Sequence, residues 1–138
     1  MVPYKSSTAA LERKGRPLTR ILLLGAPMLL LVGSAHAAGD PQKGQVIFKQ
    51  CALCHTAEPG KNKLGPSLFG VVGRESGSLP NYSYSDAMKN FHDKWTPEEL
   101  NTYLTDPRKI VPGTKMIFPG LKDQQERDDI IAYLETLK

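Results

Sequence analysis

Cysteine occurs only twice in these 138 residues and tryptophan only once, and no apolar run is long enough to cross a bilayer comfortably. Each shortage excludes something. With Cys51 and Cys54 alone, there is no disulfide framework of the kind that staples small secreted domains. Nor is there a second Cys or His pair to complete a four-ligand structural zinc site. The most apolar stretch, Ile21 to Val32, is short and interrupted by Gly25 and Pro27. Repeats, low-complexity tracts and a βαβ pattern are all missing, and without the last a thioredoxin-like role for the Cys-x-x-Cys pair lacks its usual setting. No general acid, nucleophile or substrate pocket is evident.

What is present begins with a leader. The chain is basic and unpatterned to Arg20, then apolar to Val32, then carries Ala35-His36-Ala37, small residues at the two positions that a signal peptidase inspects. That order reads as a cleaved secretory signal over 1–37 followed by a single domain over 38–138, with a retained membrane anchor as the alternative. Export places the domain in the periplasm. Cleavage also removes Lys5, Arg13, Lys14, Arg16 and Arg20 against one acid, Glu12, and leaves 13 basic and 13 acidic residues. The basic character of the whole chain is therefore no sign of nucleic-acid binding, and only the distribution of charge can matter.

Local signals in the domain are helical. Asp40-Pro41 opens a first helix that runs into the cysteines, with Val46, Ile47 and Cys51 on one side. A short helix fits Ser85 to Asn90. Thr96-Pro97-Glu98-Glu99 is a capping box that starts a helix carrying Leu100, Tyr103 and Leu104, and Asp106-Pro107 stops it. Asp123 and Glu126 open a last helix with Ile130, Ile131, Leu134 and Leu137 as its stripe. The stretches 56–82 and 107–122 are rich in glycine and proline and read as loop. Such loops far exceed the usual connection of about four to six residues. Their apolar side chains (Leu64, Leu68, Phe69, Val71, Val72, Ile117, Phe118) need a surface, which a large flat apolar cofactor would provide.

The cysteines lie in Cys51-Ala52-Leu53-Cys54-His55. A disulfide across two residues would close a tight ring and leave His55 unexplained. Zinc lacks two ligands. Covalent haem attachment accounts for all three side chains, because each thiol can add to one vinyl group while the adjacent imidazole faces the iron. For a sixth ligand the domain offers Met88, Met116 and His92. Met116 stands in the Pro112-Gly113-Thr114-Lys115-Met116 loop with no helical stripe to belong to, whereas Met88 fits core filling and His92, between Asn90 and Asp93, fits solvent. An open sixth site is the remaining option.

The segments GDPQKGQVIFKQCALCHTA, GPSLFGVVGR, Y-x-Y-S-D-A, W-x-x-E-x-L-x-x-Y-L-x-D-P and PGTKMIFPGLKDQQERDDIIAYLETLK, in this order and spacing, resemble the class I c-type cytochromes, in particular the bacterial cytochrome c2 group. The resemblance covers Gly39 to Lys138. It implies a small all-α fold whose helices and long loops wrap around one covalent haem c. It also implies axial ligation by His55 and Met116, with the Pro66 carbonyl against the second nitrogen of His55. Arg74, Tyr84 and Trp95 match positions that bond a buried propionate, and Tyr103 and Thr114 match positions near the methionine sulfur and the other propionate. Gly44, Phe48 and Tyr133 match the crossing of the first and last helices. Two departures stand out: Met88 replaces the asparagine that mitochondrial relatives carry in the haem-side network, and Asn62 replaces a histidine that pins the long loop in some relatives.

The function so implied is one-electron carriage by a monomer, with no enzyme activity, from a bc1-type complex to a photosynthetic reaction centre or terminal oxidase. Partner docking would use Lys49, Lys61, Lys63, Arg108, Lys109, Lys115 and Lys122, which fall in the segments rimming the haem edge, opposite an acidic last helix with Glu126, Asp128, Asp129 and Glu135. A haem peroxidase or ligand sensor with an open sixth site, and a haem subunit of a periplasmic dehydrogenase, are the competing functions.

Overall fold

The computed structural model describes residues 38–138; the leader and its cleavage site lie outside them. Helix α1 spans Pro41–Cys51, α2 Asp86–Lys89, α3 Pro97–Thr105, α4 Pro107–Ile110 and α5 Gln124–Thr136. Among the described residues the only β feature is an isolated antiparallel bridge between Glu75 and Lys94.

Helices α1 and α5 cross where α1 has no side chain to hold them apart. A Cβ on Gly44 would lie 2.0 Å from the carbonyl oxygen of Asp129 and 2.7 Å from Cβ of Tyr133. One turn on, Phe48 packs its ring 5.1 Å from that of Tyr133. The Asp40 carboxylate caps α1 by accepting from Gln42 N at 2.9 Å, while Asp40 N donates to Asp129 Oδ1 at 2.7 Å, so the cap is itself anchored to α5. This close approach turns Gly44 and Phe48 inward. The apolar side expected from Val46, Ile47 and Cys51 is accordingly rotated: Ile47 and Cys51 are half-buried, and Val46 faces solvent at 62% exposure.

Thr96 caps α3 through Glu99 N, as its sequence predicts. Asp106 ends α3 but does not begin a loop. Its carboxylate accepts from Lys109 N at 3.2 Å, and Pro107, nearly inaccessible, occupies the first position of the one-turn α4. Proline at a helix start costs no hydrogen bond, so the pair that stops one helix opens the next.

Helix α5 supplies Ile130, Ile131 and Leu134 to a core shared with Leu100, Tyr103, Leu104, Trp95, Val111 and Leu121. The long loops are tied to this frame by specific bonds. Gly73 N donates to Trp95 O and Trp95 N to Arg74 O, both at 2.9 Å, which fastens the first loop to the segment that leads into α3. Arg127, 7% exposed, donates to the carbonyls of Leu121, Lys122 and Asp123 and through Nε to Asn101 Oδ1 at 2.7 Å, fastening the second loop to α5 and α3. Of the loop residues expected to bury, Val71 does, and Leu68, Phe69, Val72 and Phe118 are half-buried. Leu64 and Ile117 instead lie 80% and 90% exposed. Beside Ile117, Met116 is half-buried, and beside Leu64, Gly65 is buried against the His55 ring.

Candidate functional site

At the end of α1 the chain makes one tight turn in which Cys54 N and His55 N both donate to Cys51 O, at 3.0 and 2.9 Å. This turn holds the two thiols and the imidazole on one short loop. The His55 Nδ1–H donates to Pro66 O at 2.7 Å. A proton at Nδ1 leaves the lone pair on Nε2, the form of imidazole that binds a metal. Burial, the larger effect, and the Arg74 charge push the imidazole below its ordinary pKa against the pull of Pro66, so the ring is neutral at physiological pH. A Cβ on Gly65 would lie 2.5 Å from the ring, so only glycine lets the backbone lie flat on it. Burial also pushes the Cys51 thiol up to about 11, which keeps it protonated while it is free.

Met116 is placed by different forces. Gly113 turns the loop at φ 92°, a conformation that glycine adopts without a Cβ clash. Met116 N then donates to Thr114 Oγ1 at 3.3 Å, and Lys115 Nζ to Ser83 O at 3.1 Å. The Tyr103 hydroxyl donates to Met116 Sδ at 3.3 Å, and its ring packs at a tilt against Trp95, centroids 4.7 Å apart. Met88 is buried in the core, and His92 is exposed in the left-handed region at φ 52°. Of the three expected sixth-ligand residues, only Met116 has a sulfur or nitrogen held by a buried hydroxyl.

Arg74 is half-buried and donates to the carbonyls of Phe69 and Ser67, both at 3.0 Å. Its backbone pairs with Trp95, and its charge draws the Tyr84 hydroxyl down while burial, the larger effect, raises it. Arg74, Tyr84 and Trp95, separate in sequence, thus share one neighbourhood. Lys49, Lys61, Lys63, Arg108, Lys109, Lys115 and Lys122 are all exposed. Lys61 pairs with Glu58, Lys63 Nζ reaches Ala52 O at 2.9 Å, and Lys122 Nζ reaches Thr105 O at 2.7 Å. On the opposing helix, Asp129 is 3% exposed and engaged with Asp40 N and Gln125 Nε2, so the acidic surface there consists of Glu126, Asp128 and Glu135.

Two residues were missed by reading the sequence. Arg127 shares a helical face with Ile130 and Ile131, and an arginine inside an apolar stripe is the signal that could have found it. Ser67, 2% exposed, donates through Oγ to Glu58 O at 2.6 Å, and nothing in the sequence marks it.

The donor set fits a haem bound through two thioethers. Both thiols and a neutral imidazole with a free Nε2 share one turn, and a thioether is held on another element. Among the described residues no three His, Cys, Asp or Glu side chains gather as they would around a bare metal ion. An all-helical fold with this turn is that of a c-type cytochrome. A profile of the Cytochrome c family matches residues 41–138. The chain is 57% identical over 101 residues to cytochrome c2 of Rhodopila globiformis, covering 72% of this chain and 95% of that one. It is 50% identical over 121 residues to cytochrome c2 of Rhodomicrobium vannielii, covering 85% and 94%. Among solved structures, cytochrome cH from Methylobacterium extorquens superposes with a TM-score of 0.68 at 47% identity, covering 71% of this chain and 99% of that one. The chain belongs to the cytochrome c family. It carries one covalently attached haem c, for which Cys51 and Cys54 fit the attachment motif, and it is an electron-transfer protein rather than an enzyme.

Proposed function

We propose that this protein is exported to the periplasm, cleaved after Ala37, and works there as a monomeric carrier from a bc1-type complex to a photosynthetic reaction centre or a terminal oxidase. His55 Nε2 and Met116 Sδ would hold the iron. The observation that carries this reading is that each candidate ligand has a second partner: Pro66 O fixes His55 in the ligating tautomer and Tyr103 fixes the Met116 sulfur. The haem supplies a one-electron Fe(III)/Fe(II) couple, and a soft thioether opposite an imidazole favours the reduced state more than a second imidazole would. The chain contributes rigidity. Gly65, Pro66, Thr114 and Tyr103 would hold both ligands in one place, and Arg74, Tyr84 and Trp95 would bond a propionate.

Partners are met through the exposed basic residues around the two loops, with Leu53, Leu64 and Ile117 as apolar contacts among them, at 80%, 80% and 90% exposure. Redox encounters use small interfaces, so complementary charge mainly sets the rate of association. Acidic rims on donor and acceptor would match this face, while Glu126, Asp128 and Glu135 lie on α5. Two measurements test the proposal. The oxidised, haem-loaded protein should show a far-red sulfur-to-iron charge-transfer band that is lost in Met116→Ala. Electron-transfer rates with purified reaction centre, oxidase and bc1 complex should fall as salt rises. A spectrum that shifts at once with dilute peroxide or cyanide would show an open sixth site and overturn the ligand assignment.

A further inference from the structure

The peptide group between Pro66 and Ser67 is held at both ends. Its carbonyl accepts from His55 Nδ1 at 2.7 Å, and its N–H donates to Asn62 Oδ1 at 2.9 Å. The same Asn62 donates through Nδ2 to Asn81 O at 2.9 Å, so its amide ties together two distant parts of the first loop. Its partners fix its orientation, because Oδ1 meets a pure donor and Nδ2 a pure acceptor, and the flipped amide would lose both bonds.

We propose that Asn62 is a positioning residue for the proximal imidazole, acting through that one peptide group. A peptide is planar, and its C=O and N–H point in opposite directions, so a partner on the N–H sets the plane in which the carbonyl meets His55. It also polarises the amide, since hydrogen bonds in a chain strengthen one another by roughly 10–30% each. A more negative Pro66 oxygen takes more of the Nδ1 proton and makes Nε2 a stronger base. A stronger base favours Fe(III), so Asn62 holds the potential down. Because the amide is neutral, its bridge does not titrate. Ser67 suits the arrangement: at 2% exposure its N–H has no access to solvent and depends on Asn62. The inference rests on His55 being the ligand, which the absorption spectrum of the haem-loaded parent checks beforehand.

The test compares Asn62→Ala with Asn81→Ala in haem-loaded protein. Asn81 ties the same two parts of the first loop through its own side chain, Nδ2 to Gly60 O at 3.3 Å, and leaves both bonds of Asn62 in place because Asn62 uses only its backbone. In Asn62→Ala the Ser67 amide should exchange at least tenfold faster by NMR, the His55 Nδ1–H resonance should move, and the Fe(III)/Fe(II) equilibrium should shift about threefold toward Fe(II). Asn81→Ala should change none of these. Equal shifts in the two variants would reduce Asn62 to general loop anchoring, and a freed Ser67 amide with an unmoved potential would remove the electronic link; either overturns the proposal. If Asn62→Ala fails to accumulate, Asn62→Asp keeps an acceptor oxygen, and loss of Ser67 protection in it would equally count against the assignment.

Discussion

The hydroxyl of Tyr103 donates to the sulfur of Met116 across 3.3 Å, joining the buried face of α3 to the Pro112–Met116 loop. A hydrogen bond to a sulfur withdraws electron density from it. With Met116 as the proposed iron ligand, Tyr103→Phe would make the thioether the better donor and favour Fe(III). One neutral hydrogen bond is worth about 1 kcal/mol and only the part that differs between Fe(III) and Fe(II) moves the potential, so the midpoint should fall by at most roughly 40 mV at ~59 mV per tenfold change for one electron. Redox titration checks it, and the ring left in place should preserve the fold.

Gly44 tests the helix crossing. With a Cβ 2.0 Å from a backbone carbonyl, Gly44→Val cannot be accommodated unless α1 and α5 separate. Overpacking of a tight contact costs about 1–3 kcal/mol and more where backbone must move. The denaturant midpoint should drop accordingly, whereas Val46→Gly, at a solvent-facing position one residue pair away, should cost no more than about 1 kcal/mol.

Arg127→Met would leave the carbonyls of Leu121, Lys122 and Asp123 without this donor. Hydrogen bonds from a charged donor contribute about 1.5–3 kcal/mol each, so a loss of at least ~3 kcal/mol is expected even though methionine fills part of the space. The damage should be local first. Amide exchange should rise across the loop that carries Met116 before it rises in α1.

Asp129 gives a pH signature. Its carboxyl lies below the ordinary carboxylate range chiefly because it accepts from Asp40 N, and next because it accepts from Gln125. A folded-state pKa below the unfolded one contributes stability that is fully present above the unfolded value of about 3.9 and is lost as pH falls through the folded value. Asp129→Asn should therefore be less stable than the parent at pH 7, and the gap should narrow below about pH 4, read from denaturation curves at each pH.

Charge reversal at Lys109, exposed on α4 and without an acidic partner among the described residues, should slow electron transfer with an acidic-rimmed partner severalfold at low salt. The loss should shrink toward ~1 M salt, where the Debye length is about 3 Å. Unchanged low-salt rates would move the docking face elsewhere.

Much of the fold was legible because its signals are local. Asp40-Pro41, Thr96-Pro97-Glu98-Glu99 and Asp123 with Glu126 each determine where a helix begins, since the capping oxygen and the amides it serves lie within three residues of one another. The Cys51-Ala52-Leu53-Cys54-His55 run determined the cofactor on the same ground: its three donors need only one turn to come together. Asp106-Pro107 misled in part, because the same two residues can end a helix or start one, and only the packing of Pro107 chooses.

Partnerships between distant residues were decided by the tertiary structure alone. Nothing local says that Asn62 reaches Ser67 and Asn81, that Arg127 collects the carbonyls of the second loop, that Asp129 faces the start of α1, or that Leu64 and Ile117 turn outward. The sequence by itself determined the helices, the haem attachment and the supply of ligands, because those depend on neighbours along the chain. How tightly each ligand is held, and by which second partner, depends on a donor and acceptor meeting across loops, and that only the folded chain could decide.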